Sequence, residues 1–194
     1  MSLEVLNTTG TLLTVVIVAA TAVAALVQMR HLRTGNQITA LLTIGEKFQD
    51  ERFREAQYLV NHSIASALQD PAFRAFVVSR TRFTNAPPDV PPEYVRLHQS
   101  ARLVGNFFEE LGNLVKNRVV DYDLFMDHYC SNVAGSWKVL ENYIAILREA
   151  TGDLGLWDNF EDLTVRAREF LAKYPTTYPP GVPRIAISNP WPLS

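Results

Sequence analysis

A long uncharged segment near the N-terminus constrains this chain more than any other feature of its sequence. No charged residue occurs between Val5 and Met29, and the segment is rich in Val, Ile, Leu and Ala. A helix from Thr9 to Met29 has about 21 residues and extends roughly 31 Å, which matches the hydrocarbon core of a bilayer. The sequence therefore predicts one transmembrane helix.

The charges around this segment predict that it stays in the membrane and how it is oriented. Glu4 precedes it without any basic residue, whereas a cleavable signal peptide begins with positive charge. The small-residue pattern at residues 20–22 keeps cleavage as an alternative. Arg30 and Arg33 follow the segment, and basic residues are retained on the cytoplasmic side. We therefore expect a single-pass plasma (inner) membrane protein with its N-terminus outside and an anchor over residues 1–33.

The composition limits the partners and the compartment of the remaining chain. Lys and Arg total 18 and Asp and Glu total 20, with no basic block, so the formal net charge is −2. Nucleic acid is not expected as a partner, because phosphate contacts need a concentrated basic face. The single cysteine, Cys130, agrees with a reducing compartment, since secreted domains more often carry an even number.

Apolar residues at helical spacing predict an all-α fold, with an antiparallel helical bundle over residues 34–174. Helix starts are predicted where a side-chain oxygen can accept hydrogen bonds from the free amides of a first turn. These positions are Asn36, Asp50, Asp70 before Pro71, Asp121 and Asp158. Glu161 follows Asp158 at the spacing of a capping box, and Gly152 is placed to end the longest helix.

The clearest helical pattern lies between two proline-rich regions. From Tyr94 to Val115 apolar residues recur at alternating spacings of three and four, which indicates a helix packed in a bundle. Residues 84–93 precede it as a proline-rich linker, because proline fixes φ and removes an amide donor. Pro175 is expected to end the last helix, and residues 175–194 form an extended tail with a short strand-like piece at 184–188.

Two places in the sequence are candidate interaction sites. Ala20 and Ala24 have the spacing that lets transmembrane helices approach closely, although alanine is common in all such helices. In the tail, Tyr178, Pro179 and Pro180 are candidates for docking on a partner. The alternative for the tail is that it wraps its own domain or stays free.

One acidic cluster is the candidate for metal chemistry. Asp123 and Asp127 share a helix face, and with a facing Glu110 they could bind a hard divalent cation such as Mg²⁺. Acidic residues near a helix start are also favoured by the helix dipole alone. The usual zinc, nucleotide and hydrolase motifs are absent, so no catalytic residue and no cofactor is predicted.

Histidines and aromatic residues offer weaker candidates. His98 and His128 lie on neighbouring predicted helices and could approach each other. Five aromatic residues could line a ligand pocket between helices, although such residues are first expected in the core. They are Phe107, Phe108, Tyr129, Trp137 and Tyr143.

Three stretches of the sequence carry a resemblance to a known family. They are residues 48–57 (FQDERFREAQ), 106–116 (NFFEELGNLVK) and 137–148 (WKVLENYIAILR). With the layout of the chain, they resemble the uncharacterised prokaryotic family of membrane-anchored helical proteins named domain of unknown function forty-seven-sixty. The resemblance covers residues 10–172 and implies an N-terminal span, a basic flank and then helices. It implies no activity, cofactor or catalytic residue.

These features favour a non-enzymatic, membrane-tethered helical module that acts as a scaffold. Its expected partners are the lipid bilayer and either another protein or a second copy of the chain at the cytoplasmic face. One alternative is a metal-dependent enzyme that uses the acidic cluster. Another is a membrane-linked sensor that binds a small ligand among the aromatic residues.

Overall fold

In the computed structural model, which describes residues 3–84, 90–179 and 181–191, six α-helices follow one another. They are α1 (Leu3–Gln49), α2 (Glu51–Ala67), α3 (Pro71–Thr81), α4 (Pro92–Lys116), α5 (Tyr122–Thr151) and α6 (Asp158–Lys173). No strand occurs in these ranges. The predicted all-α fold is therefore confirmed.

Helix α1 runs without a break for 47 residues, which corresponds to about 70 Å. The predicted new helix start at Asn36 is therefore wrong. A glycine such as Gly35 inside a helix costs only about 1 kcal/mol, which is less than the loss of a full turn of hydrogen bonds. All side chains of residues 10–36 are exposed, and α1 packs against the bundle at its C-terminal end, where Ile44 is buried.

Three of the predicted helix starts are confirmed by their cap geometry. The carboxylates of Asp50, Asp70 and Asp121 accept hydrogen bonds from amides of the first turns of α2, α3 and α5, at 3.1, 2.7 and 3.1 Å. Gly152 ends α5 with φ of 69°, as predicted for a glycine past a helix end. Each of these signals acts within a few residues of its helix.

The start of α6 differs from the predicted capping box. Asp158 is already helical, and Trp157 precedes it in a left-handed conformation (φ 60°) without a side-chain cap. The free amide of Phe160 instead donates to Glu109 Oε2 of α4, at 2.9 Å. Glu161 forms an ion pair with Arg148 of α5, at 2.7 Å. The capping box is therefore wrong because a carboxylate from another helix takes its place.

The core lies among α2 to α6. Helix α4 packs against α2 and α6, and α5 packs against α6, α3 and α2. The predicted apolar face of α4 is confirmed, because every residue of the three-four pattern after Tyr94 is buried. These are Leu97, Ala101, Val104, Phe108, Leu111 and Val115. Phe108 stacks on Phe160 of α6, with 4.9 Å between the ring centroids. Packing of α4 against α6 therefore closes the bundle.

The C-terminal tail differs from the prediction in one respect. Residues 184–188 are extended but form no strand, and Ile185 and Ile187 are 86% and 93% exposed. A strand needs a neighbouring strand to satisfy its amides and carbonyls, and the described residues offer none. Helix α6 ends at Lys173, two residues before Pro175, as predicted.

Candidate interaction site

A groove of about 550 Å³ opens where the end of α1 meets α2 and α4. We call it the α1–α4 groove. Its apolar lining comes from all three helices and consists of Ala40, Ile44, Phe53, Leu103, Phe107, Leu111 and Leu114. Phe53 and Phe107 lie at its centre, with 4.4 Å between their ring centroids. The groove therefore has an aromatic floor.

Local sequence explains why these side chains converge. Helix α1 ends at Gln49 and Asp50 caps α2 at once, so a single residue separates the two helices. Phe48, just before this turn, stacks on Tyr129 of α5 at 4.7 Å and meets Phe107 edge-on at 5.0 Å. The ring of Phe48 therefore fixes the end of α1 to the bundle and places Phe53 beside the groove.

The rim of the groove carries charges of both signs. Lys47 and Arg52 are basic, Asp50 and Glu110 are acidic, and all four side chains are exposed. An apolar centre with a polar, solvent-accessible rim is the arrangement found in protein–protein interfaces. A site for a small anion or cation would instead concentrate one sign of charge. The groove is therefore suited to a protein segment that is itself amphipathic.

The structure does not bring the three candidate metal ligands together. Glu110 lies on the rim of the α1–α4 groove, whereas Asp123 and Asp127 are exposed on the first turns of α5. The charge of Asp123 acts on Lys173 of α6 and raises the pKa of that amine, after the larger effect of Tyr174. Over the described ranges, no three His, Cys, Asp or Glu side chains are grouped so that they could hold a metal ion.

The two histidines also have partners other than each other. His98 Nδ1 and Tyr143 Oη are hydrogen-bonded at 2.8 Å, while His128 contacts the ring of Tyr129. Burial lowers the pKa of His98 to about 4, helped by the positive charge of Arg102. Burial also raises the pKa of the Tyr143 phenol. Both groups are therefore neutral at pH 7, and the pair is a structural contact of α4 with α5.

The five aromatic candidates do not form one pocket. Phe108, Tyr129 and Tyr143 are buried in the core. Trp137 is half-buried and lines a different pocket on α5. Only Phe107 lines the α1–α4 groove. Phe53, which also lines the groove, is not among the candidate residues that the sequence indicates. Its position directly after the Asp50 cap is the signal that could have placed it beside a turn.

The candidate interaction residues of the anchor and the tail stand apart from this groove. Ala20 and Ala24 are exposed on α1. Tyr178 donates a hydrogen bond to the carbonyl of Pro183 at 3.0 Å, and its ring lies 4.5 Å from the Arg184 guanidinium. Pro179 is exposed, and Pro180 lies outside the described residues. Docking through these positions stays a prediction.

The apolar part of α1 has the length and composition of a membrane span. The helix from Gly10 to Gln49 contains an 18-residue window of mean hydropathy 2.4, none of it buried. Among the described helices, only α1 has this property.

Comparison with known proteins identifies a family. No curated protein and no solved structure is significantly similar to the chain. The sequence model of the family described as "Domain of unknown function (DUF4760)" matches residues 14–167, which include most of the apolar segment and nearly all of the bundle. This agrees with the resemblance seen in the sequence, and the chain belongs to the DUF4760 family.

Proposed function

We propose that this chain is a non-enzymatic scaffold that α1 anchors in the plasma membrane of a prokaryotic cell. In this proposal the N-terminus is outside, the bundle is cytoplasmic, and the α1–α4 groove binds a protein partner or a second copy of the chain. The observation that carries the proposal is the continuity of α1. The same helix supplies the exposed apolar segment and, through Ala40 and Ile44, one wall of the groove.

This continuity has a mechanical consequence for partner binding. From Met29, at the end of the uncharged segment, to Ala40, at the groove, α1 rises about 16 Å. The groove is therefore held at a fixed height above the bilayer rather than on a flexible linker. Confinement to a membrane raises the effective concentration of a neighbour, so a modest groove affinity suffices for capture.

A crosslinking experiment on the full-length protein in native membranes tests this proposal. A photoreactive amino acid replaces Leu103, in the groove, or Leu154, which is 81% exposed in the α5–α6 loop. We expect a discrete adduct from position 103 but not from position 154. An adduct of twice the chain mass indicates self-association, and any other discrete mass indicates a protein partner.

Introduction of a negative charge in the groove provides the matched control. Leu103→Glu combined with the crosslinker at position 107 should abolish the adduct, because a buried unpaired carboxylate is costly at an apolar interface. The same crosslinker with Leu154→Glu should keep it. Absence of any adduct at 103 and 107, or equal adducts at 154, contradicts the proposed groove function.

A small apolar ligand is a second candidate occupant of the groove. Its volume of about 550 Å³ falls within the range of small-molecule sites, and Phe53 and Phe107 provide aromatic faces. A thermal-shift screen distinguishes this candidate, since a ligand that binds only the folded state raises the melting temperature. Stabilisation that Leu103→Glu removes supports a sensor, and no stabilisation by any compound contradicts it.

A further inference from the structure

Residues far apart in the sequence meet where α1 leaves its uncharged segment. The turn between α4 and α5 brings Arg118 and Val119 to one shallow depression with residues of α1. These residues are Met29, Leu32, Arg33, Asn36 and Gln37. We call this depression and the exposed side chains around it the juxtamembrane face. The bundle therefore comes back to the same height along α1 at which the apolar segment ends.

The juxtamembrane face is basic. Arg30, Arg33, Lys116 and Arg118 are all exposed, and none of them forms an ion pair within the described part of the chain. Lys116 Nζ donates to the neutral amide oxygen Asn159 Oδ1 at 3.1 Å. No Asp or Glu occurs from residue 5 to residue 45. The positive charges of this face are therefore not neutralised by α1.

The two acidic residues that follow the turn in the sequence interact with other groups. Asp121 follows the turn, and its carboxylate caps α5 by accepting from the Leu124 amide at 3.1 Å. Asp123, two residues further along the chain, favours the charged form of Lys173 of α6, after the larger effect of Tyr174. These contacts leave the basic side chains of the turn directed at solvent. The face as a whole is complementary to negative charge.

Apolar side chains stand among these basic ones. Leu32 is 68% exposed and Val119 is 46% exposed, next to Arg33 and Arg118 respectively. The turn that presents Val119 is fixed by its own backbone, because the Val119 amide donates to the Leu114 carbonyl at 3.0 Å and Arg118 has φ of 57°. Exposed apolar groups between arginines are the chemistry of a membrane interface rather than of a free phosphate site.

The height of this face agrees with that chemistry. The polar headgroup region is about 5 to 8 Å thick on each side of the hydrocarbon core. Residues 29–37 of a helix perpendicular to the bilayer rise about 12 Å from the end of the uncharged segment. Arg118 and Val119 line the same depression as Met29, Leu32 and Gln37, and are therefore at the level of the headgroups or directly above them.

We propose that the juxtamembrane face binds the headgroups of anionic phospholipids and holds the bundle against the bilayer at a second point. This inference rests on the proposed insertion of α1 in the membrane and adds a lipid preference to it. Anionic lipids are concentrated in the cytoplasmic leaflet, where each nearby basic residue contributes about fivefold to binding. The turn then fixes the orientation in which the α1–α4 groove faces its partners.

A site-specific fluorescent probe on the full-length protein tests this inference. Val119→Cys carries an environment-sensitive dye, and Leu154→Cys, at the opposite end of α5, is the matched control. Cys130 is buried, so the unsubstituted chain is the labelling blank. Each protein is reconstituted in vesicles of phosphatidylcholine, with or without phosphatidylglycerol. The emission maximum and quenching by nitroxide-labelled lipid report contact with the bilayer.

We expect blue-shifted emission and quenching at position 119 in the phosphatidylglycerol vesicles, less in pure phosphatidylcholine, and none at position 154. Arg118→Asn, which tolerates the left-handed backbone, should lower the ratio of docked to free turn about fivefold, and Arg118→Lys should retain it. High salt should lower the ratio of docked to free turn, as Arg118→Asn does. Inorganic phosphate at the same ionic strength should lower this ratio by no more than salt does.

The outcomes separate this inference from the proposed function. Flotation of the protein with the vesicles, combined with equal signals at positions 119 and 154, overturns lipid docking and leaves the anchor standing. Equal docking in both vesicle types overturns the preference for anionic headgroups. Failure of the protein to float with vesicles overturns the anchor and lipid docking together.

Discussion

Two glycines of α4 are the residues that allow the bundle to close. At Gly105 a Cβ atom would overlap the ring of Trp157, and at Gly112 it would overlap the backbone of Asn159. Trp157 Nε1 donates to Asn106 Oδ1 at 2.9 Å and is fixed in place. Helix α4 can therefore approach the start of α6 only because two positions on one face lack side chains.

Gly105→Ala should accordingly lower the free energy of unfolding by about 1 to 3 kcal/mol, because the Trp157 ring has to move out of a packed site. Gly135 of α5 is a matched control, since a Cβ there meets nothing within 4 Å. Gly135→Ala should raise stability by about 0.5 to 1 kcal/mol, because alanine favours the helix. Urea unfolding in detergent, followed by tryptophan fluorescence, measures both. Equal effects of the two substitutions would contradict the close approach.

His98 should make stability depend on pH. Its pKa is lowered to about 4 in the folded chain, whereas an unfolded histidine titrates near about 6.5. Between these values the unfolded chain binds more protons, so stability is greatest above about pH 6.5 and falls as the pH approaches 4. With allowance for solvent screening of this partly exposed ring, the loss is about 1 to 2 kcal/mol.

The matched variants are His98→Gln, whose amide can still meet Tyr143, and His128→Gln, at an exposed position of α5. The difference in unfolding free energy between pH 7.5 and pH 4.5 should shrink in His98→Gln and stay unchanged in His128→Gln. Carboxylates that titrate in the same range cancel in this comparison. An unchanged difference in His98→Gln would exclude the histidine as the cause.

At the scale of elements, a helix end can be predicted from the sequence where a neighbouring residue caps it. A helix end that is capped by a residue distant in the sequence cannot be predicted in this way. The caps at Asp50, Asp70 and Asp121 are local, since each side chain bonds an amide two or three residues away. Glu109 caps α6 across a separation of 51 residues, so no local pattern contains it. The groove was not predicted for the same reason. Phe53 and Phe107 are distant in the sequence and meet only when α2 and α4 pack together.

Removal of the Glu109 carboxylate should weaken the start of α6. It accepts from Asn159 Nδ2 at 2.6 Å and from the Phe160 amide at 2.9 Å, next to the positive end of the helix dipole. Glu109→Ala should lower the free energy of unfolding by about 1.5 to 3 kcal/mol. Glu110→Ala, at the adjacent exposed position, should change it by less than about 0.5 kcal/mol. If the two variants unfolded alike, the cap would contribute nothing.

At the scale of the whole molecule, the sequence predicts a membrane anchor and a helical bundle, with a boundary near residue 33. The sequence could predict the apolar run, because it is continuous, and the bundle, because its apolar spacing is regular. It did not predict that one helix joins them, because Gly35 and Asn36 resemble a helix boundary. The packing of Phe48 against Tyr129 and Phe107 shows why the end of α1 belongs to the bundle.

Truncation of α1 at two places should separate its two roles. A chain that begins at residue 37 loses only exposed side chains among those described, so its bundle should unfold at the same urea concentration as the full-length bundle. A chain that begins at residue 50 also loses the buried side chain of Ile44 and the half-buried side chain of Phe48, which should lower the free energy of unfolding by about 3 to 6 kcal/mol.

In the full-length chain, Ile44→Ala should destabilise the bundle whereas Leu42→Ala, at a 65% exposed position of the same helix, should not. Equal stability of both truncated chains would mean that the C-terminal end of α1 does not stabilise the bundle.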